Sequence, residues 1–299
     1  MKLKQTFEPK HGELVQLSDL IGRITAPNSS PFTFHGTNSY IVGKESVAII
    51  DPGPVIESHI EAIIQAVGDR PVTHIIVTHT HADHSPACEP LKQHFKVPTY
   101  AEGIHRTSRD LFLGEMNPLD ASGDKDFIPD VIVADGEIIT GDGWTLEAVT
   151  TPGHTANHMA FSLREENVLF SGDHVMAWST SIVAPPDGLM SDFMTSLDKL
   201  MARDETVFYP GHGGRVENPA KFMRGLKTHR LMREGGIIER LKAGDRTIAE
   251  MVAVMYRDVN PKLHGAAGLS VLAHLEDLVG RGVVKTEDAP SITGSYQIV

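Results

Sequence analysis

The sequence predicts an α/β protein, with a large layered domain over residues 1–218 followed by a small, mostly helical one over 219–299. Three observations predict it. Short apolar, β-branched runs alternate with helix-length patterns through the first two-thirds of the chain. Histidines and aspartates recur directly after those runs, at the strand ends where open α/β sheets present their ligands. From Pro219 onward the strands give way to helical periodicity.

Along the chain, SYIVG (39–43) and SVAIID (46–51) read as strands, 55–67 as a helix and THIIVTH (73–79) as a buried strand. A helix follows from about His84 to Phe95, then strands at 98–102, 131–140, 144–150 and 158–172. A helix at 190–203 and a strand at TVFY (206–209) complete the large domain. Residues 103–129 mix Pro, Gly, Asn and Asp without periodicity and read as a long loop, either a surface insertion or a substrate-facing lid. In the tail, helices are expected near 219–242, 247–257 and 265–280, followed by a hairpin-like pair of strands.

The 299 residues, 40% hydrophobic and 22% charged, have the composition of an ordinary globular protein, which argues against disorder and fibrous architectures. The first twenty residues lack the apolar stretch of a secretory signal, and no later run approaches the roughly 20 apolar residues that span a bilayer. A cytoplasmic protein with no membrane partner is the expectation. The single cysteine, Cys88, rules out an intrachain disulfide and is expected to be a small buried residue on a helix. The net charge of −12 divides into −15 over 1–218 and +3 over 219–299.

Sixteen histidines stand out more. His79, His81, Asp83 and His84 occupy one turn between a buried strand and a helix. Imidazoles at 79 and 81 can share one metal, while 83 and 84 can turn to a second. His154 in TPGHT, Asp173 in SGDH and His212 in YPGHGG follow other strands, each beside a glycine that permits close backbone approach. Imidazole nitrogen with carboxylate oxygen suits zinc, and a site with three protein ligands keeps a position open for water. His158 and His174 are expected to hydrogen-bond beside the ligands. His35, His94, His105, His229, His264 and His274 carry no ligand spacing. Asp51 either orients the 79–84 loop by hydrogen bonding or serves only a turn.

HTHADH, TPGHT, SGDH and PGHGG in this order, together with GTNSYIVG (36–43) and IIDPG (49–53), resemble the metal signature of the metallo-β-lactamase superfamily over roughly residues 30–215. The resemblance implies an αββα sandwich. It implies that His79, His81 and His154 hold one divalent ion, that Asp83, His84 and His212 hold another, and that Asp173 bridges them. Zinc suits this set, and iron and manganese share it. It further implies a hydrolase in which Asp83 orients a bridging hydroxide. Flavodiiron proteins of the superfamily resemble HxExDH instead, with a flavodoxin-like partner domain; here position 81 is His and no such domain follows. Iron-dependent persulfide dioxygenases are a further redox relation.

HRLMREGGIIERLKAGDRTIAEMVAVMY (229–256) and LSVLAHLEDLVGRGVV (269–284) resemble the winged-helix tail of bacterial metallo-hydrolases grouped with the mitochondrial β-lactamase-like endoribonuclease. Hydrolysis of a small-molecule ester, thioester or lactone is the leading expectation and single-strand RNA hydrolysis the alternative. A β-lactamase side activity, iron-dependent redox chemistry and nonenzymatic nucleic-acid binding rank below them. Winged helices also dimerise or wall pockets. Lys221, Arg224, Lys227, Arg230 and Arg233 recur every three residues; a solvated helix face is favoured over a phosphate track, since no aromatic stacking residues accompany them.

Overall fold

A computed structural model describes residues 2–113, 115–117 and 120–299. Its first sheet follows chain order: β1 (Val15–Gln16), β2 (Ile21–Thr25), β3 (Asn38–Val42), β4 (Val47–Ile50), β5 (Val72–Ile76), β6 (Thr99–Ala101) and β7 (Val131–Ile132). Strands β4, β5 and β6 run parallel, which requires crossovers, and α1 (Glu57–Val67) and α2 (Cys88–Phe95) supply them. The second sheet holds β8 (Ile138–Gly141), β9 (Trp144–Thr150), β10 (Met159–Leu163), β11 (Val168–Gly172), β12 (Val207–Pro210) and β13 (Val216–Glu217). There α3 (Met190–Met201) makes the crossover between the parallel β11 and β12.

The period-two alternation of strand side chains assigns each residue to a layer. Tyr40, Val42, Ala48, Ile50 and Ile76 of the first sheet meet Leu146, Ala148, Met159, Phe161 and Phe170 of the second in one buried cluster. Their neighbours Ile41, Val47, Ile49 and Ile75 face outward onto Ile63 and Val67 of α1 and Leu91 of α2. Val149, Ala160, Leu169 and Phe208 face the other way onto Phe193, Leu197 and Leu200 of α3. The result is the αββα sandwich that the resemblance implies. Strands buried on both faces explain why these segments read as continuous apolar runs.

Several elements differ from expectation. Residues 131–140 are not one strand: β7 and β8 belong to different sheets, separated by a turn at Gly136 with φ 76°. Residues 158–172 form a hairpin whose turn ends on Asn167 at φ 52°. The helix expected from His84 begins only at Cys88, after a turn. Strands β1, β2 and β13 had no expected counterpart. Cys88 is buried at the start of α2, as expected.

The tail comprises α4 (Pro219–Lys242), α5 (Ile248–Met255), α6 (His264–Gly280) and the antiparallel pair β14 (Val284–Thr286) and β15 (Tyr296–Ile298). Asn218 caps α4 by accepting from the Lys221 N–H, with Pro219 at the first helical position. Thr247 and Glu250 form a capping box on α5. Met223 and Leu226 of α4 pack with α3, whereas Ile237 and Leu241 join the separate core of the tail. One helix thus belongs to both hydrophobic clusters. Among the described residues, no helix is long and apolar enough to cross a membrane.

The basic residues of α4 do not form one face. At about 100° per residue, Lys221 and Arg230 stand about 180° apart. Lys221 and Arg224 are exposed, Lys227 pairs with Asp198 at 2.5 Å, and Arg230 is buried. The solvated-face reading therefore holds for the first residues of the series and fails at Arg230.

Candidate metal centre

All seven residues singled out in the sequence meet where the carboxyl ends of β5, β9, β11 and β12 converge. His79 and His81 leave the end of β5, His154 follows β9, Asp173 follows β11 and His212 follows β12. The side chain of His81 brings its Nδ1 to 3.1 Å from His79 Nε2 and 3.1 Å from His154 Nε2. Ligand nitrogens on a tetrahedral ion, at metal–nitrogen distances of about 2.0–2.1 Å, lie about 3.3 Å apart. The second group places His212 Nε2 3.2 Å from Asp83 Oδ2 and 3.3 Å from Asp173 Oδ2, with His84 Nε2 3.4 Å from Asp83 Oδ2. Asp173 lies between the groups, also 3.8 Å from His154 Nε2, and its buried Oδ1 accepts no hydrogen bond. The donor set and the unpartnered carboxylate oxygen fit divalent ions.

The far ring nitrogens decide which nitrogen carries the lone pair. His154 Nδ1 donates to the Ile182 carbonyl at 2.7 Å, His212 Nδ1 to the Gly36 carbonyl at 3.2 Å and His84 Nδ1 to Asp51 Oδ2 at 3.0 Å. With the proton on Nδ1, each Nε2 is left to ligate. Asp51 does more than end a turn: its Oδ1 accepts the Thr78 N–H at 2.7 Å and its Oδ2 the Thr78 hydroxyl at 2.8 Å, so it ties the motif loop to β4.

The two groups differ electrostatically. Burial, then the neighbouring imidazoles, holds His79 well below the usual histidine range and His81 down to about 3, so both stay neutral. Burial also disfavours charge on His212 and His84, but the facing carboxylates outweigh it. Asp173 and Asp83 push His212 up to about 10, and Asp83, Asp51 and Asp173 push His84 well above its ordinary value. Three carboxylates around two imidazoles make a site that demands positive charge.

His158 is no ligand. Its Nδ1 bonds Thr151 Oγ1 at 2.8 Å and its Nε2 accepts the Asp173 N–H at 3.0 Å, which positions Asp173 between the two groups. His174 packs on Phe193 at 4.4 Å. His105 reaches the Thr80 hydroxyl at 3.1 Å, beneath the motif loop. His35 packs tilted against Phe34, His94 meets Phe95 edge-on, His264 bonds the Tyr256 carbonyl and His274 is buried in the tail. The long loop 103–129 supports the motif from below: Ala82 N–H donates to Ser122 O, and Asp124 N–H to Thr80 O. Its Arg109 pairs with Glu115 and with Glu276 of α6; Gly114, Pro118 and Leu119 of this loop lie outside the described residues.

Residues not foreseen complete the site. Thr37 donates to Asp83 Oδ2 at 3.1 Å, and Asn38 donates to the carbonyls of Pro210 and Gly213, fixing the loop that carries His212. Phe32, Met176, Trp178 and Ile182 line a cavity of about 150 Å³ that opens onto His81, Asp83, His154, Asp173 and His212. Trp178 stacks on Phe34 at 4.8 Å. Phe32 and Trp178 sit in irregular segments without periodicity, so no sequence signal marked them.

Comparison with known proteins agrees with this geometry. Residues 32–212 match the metallo-beta-lactamase superfamily, and residues 247–292 match the beta-lactamase associated winged helix domain. A beta-lactamase-like protein 2 homolog from Caenorhabditis elegans is 31% identical over 90% of this chain and 88% of its own. An atrochrysone carboxyl ACP thioesterase from Paecilomyces divaricatus is 32% identical over 83% of this chain and 75% of its own. The crystal structure of a beta-lactamase domain protein from Burkholderia ambifaria superposes with a TM-score of 0.79 at 20% identity, covering 98% of this chain and 95% of that one.

Proposed function

Because the chain belongs to the metallo-β-lactamase superfamily and is a hydrolase of it, we propose that it cleaves a small-molecule thioester or ester with two divalent ions, zinc fitting the donor set best. The observation that carries this reading is the apolar cavity, walled by Phe32, Met176, Trp178 and Ile182, set directly against the ligand cluster. An acyl group fits such a wall better than a polynucleotide does. The thioesterase name borne by a relative 32% identical supports the same substrate class.

When bound, two ions lower the pKa of a shared water toward about 7 and polarise the acyl oxygen. The protein's part is positioning. His79, His81 and His154 would hold one ion and Asp83, His84 and His212 the other, with Asp173 placed between them to serve both. Burial alone would protonate Asp83, but His84 and His212 keep it well below the usual carboxylate range, so it remains an acceptor. Thr37 and His212 fix its Oδ2. From the cavity wall its carboxylate orients the attacking water and takes up its proton. Trp178 and Phe34, stacked together, form a stiff surface that excludes solvent from the acyl side.

The test is metal analysis combined with turnover of short acyl thioesters, esters, lactones and a single-stranded RNA. We expect about two ions per chain, chelator-sensitive hydrolysis of acyl substrates, and a loss of at least about 100-fold in His81→Ala and Asp173→Ala. Full metal loading with unchanged turnover in both variants, or RNA cleaved in preference to every acyl substrate, refutes the assignment.

A further inference from the structure

The cavity at the metal centre does not end at Trp178. A second chamber of about 310 Å³ shares Pro31, Phe32, Ser179, Thr180 and Ile182 with it as a common wall. The two chambers therefore adjoin, one against the metal-ligand cluster and the other against the tail. The far wall of the second chamber comes from α4, α6 and the segment between α5 and α6. Arg230 and Arg233 line it beside His229, with Tyr256, Val259 and Leu263 completing the surface.

The charge on that wall is unusual for this chain. The protein is acidic overall, at −12, and cations of the tail commonly find carboxylates: Lys227 pairs with Asp198, Arg240 with Asp245 and Arg281 with Glu234. Among the described residues Arg230 and Arg233 pair with none, and no Asp or Glu lines the chamber. Arg230 is only 3% exposed. It donates to the Ser181 carbonyl, lies 4.8 Å over the Phe193 ring, and leaves its buried Nε without a partner. Burying a guanidinium without a counter-ion is costly, which is why such groups are ordinarily paired. Arg233 rests over Tyr256 at 4.5 Å and makes one long contact, 3.4 Å, to the Met255 carbonyl. The field is felt next door, where burial, then Arg230 and Arg233, drives His229 down to about 4.

We propose that this chamber binds a phosphate at the far end of the substrate, so that the substrate is a thioester carried on a long, uncharged thiol arm ending in phosphate. The inference rests on the acyl-hydrolase reading and adds the identity of the leaving thiol. The acyl group lies against Met176 and Trp178 and the arm passes Ser179 and Thr180, whose hydroxyl and peptide groups suit an amide-containing chain. The phosphate meets two guanidiniums, which match its oxygens with fork-like donors. In the reaction the water oxygen bonds to the acyl carbon and the C–S bond breaks. The sulfur leaves with the electron pair and takes a proton from the water. The products are a carboxylic acid and a free thiol, with no oxidant or reductant consumed.

The experiment compares S-acyl-pantetheine with S-acyl-4′-phosphopantetheine, matched in acyl group, on the metal-loaded protein and on Arg233→Gln. Wild type is expected to prefer the phosphorylated substrate by roughly tenfold or more in kcat/KM, chiefly through KM. In Arg233→Gln that ratio falls toward one. Calorimetric titration with the deacylated arm should show the same order, phosphorylated tighter than unphosphorylated, weakening as salt rises. Equal efficiency on both substrates in wild type, or a preference that survives Arg233→Gln, overturns the assignment of the chamber while leaving the acyl-hydrolase reading intact. No turnover of either thioester, nor of an oxygen ester of the same acyl group, by fully loaded protein removes both. Cleavage of single-stranded RNA with the same dependence on Arg233, in place of thioester turnover, overturns the proposal in favour of a polynucleotide.

Discussion

Replacing Asp51 with asparagine preserves the size of the side chain but leaves one acceptor oxygen where there were two. The carboxylate now serves three donors: the Thr78 N–H through Oδ1, and the Thr78 hydroxyl and His84 Nδ1–H through Oδ2. The backbone N–H cannot turn away and keeps the oxygen, so an amide NH2 faces His84. That imidazole then becomes an acceptor at Nδ1 and moves its proton to Nε2, the nitrogen that faces Asp83 and His212. Exchanging a charge-assisted hydrogen bond for a neutral one costs about 1–2 kcal/mol, which at about 1.4 kcal/mol per decade is roughly 5- to 30-fold in affinity. The tautomer change moves the loss toward the roughly 100-fold end seen when partners of metal-bound imidazoles are removed. The assay is competition with a chromophoric chelator, resolved into two binding steps, with urea unfolding of the stripped protein as a control on folding. We expect the ion held by His84 to weaken and the one held by His79, His81 and His154 to keep its affinity. Two unaltered steps in a folded variant would show that Asp51 serves only the turn.

Two further outcomes follow from packing and from titration. A Cβ on Gly211 would lie 2.5 Å from Asp173 Oδ1 and 2.6 Å from His84 Cε1, so Gly211→Ala should displace both and lower kcat/KM by on the order of 100-fold with an unchanged circular dichroism spectrum; a wild-type rate would mean the cluster adapts. Burial depresses His59 to about 4 and His274 to about 3, below the unfolded value of about 6.5, so the unfolded chain takes up protons that the folded one refuses. Stability present above about pH 6.5 is therefore lost as the pH falls toward those values, by about 2 kcal/mol per histidine between pH 7 and pH 5. Urea midpoints that fall over this range, less steeply in His274→Gln, are expected, and a midpoint independent of pH contradicts the burial argument.

The site was far more legible than the walls around it, for a physical reason. His79, His81, Asp83 and His84 fall within one turn, so their convergence needs no knowledge of distant contacts, and the glycines at 153, 172 and 211 mark the other crowded points. Asp51 was visible as part of a turn, but its partner Thr78 becomes a neighbour only through the parallel pairing that sets Ile50 opposite Ile76. Strand β2 escaped notice because Gly22 and Arg23 interrupt its pattern, and Arg23 is accommodated by distant partners, lying over Phe7 at 4.4 Å and donating to the carbonyls of Glu8 and Pro9. The basic series of α4 reads as a drifting stripe on a solvated face, and a three-residue period on a helix of 3.6 residues per turn drifts far enough to bury Arg230.

That drift has a structural consequence. It carries Arg230 to the inside, where its guanidinium grips the carbonyl of Ser181, while the carbonyl of the next residue, Ile182, accepts the Nδ1–H of His154. Met223 and Leu226, earlier on the same helix, are packed against α3 and cannot slide independently. A single peptide segment thus lies between a helix of the tail and a ligand of the metal centre, held from both sides. Displacement of α4 would loosen the Ile182 carbonyl, free the imidazole of His154 to rotate, and cost the site the pre-organisation on which tight ligation depends. The helical tail is in this respect part of the support of the ligand cluster as well as a wall of the chamber beside it, and cutting the chain near residue 218 would remove both together.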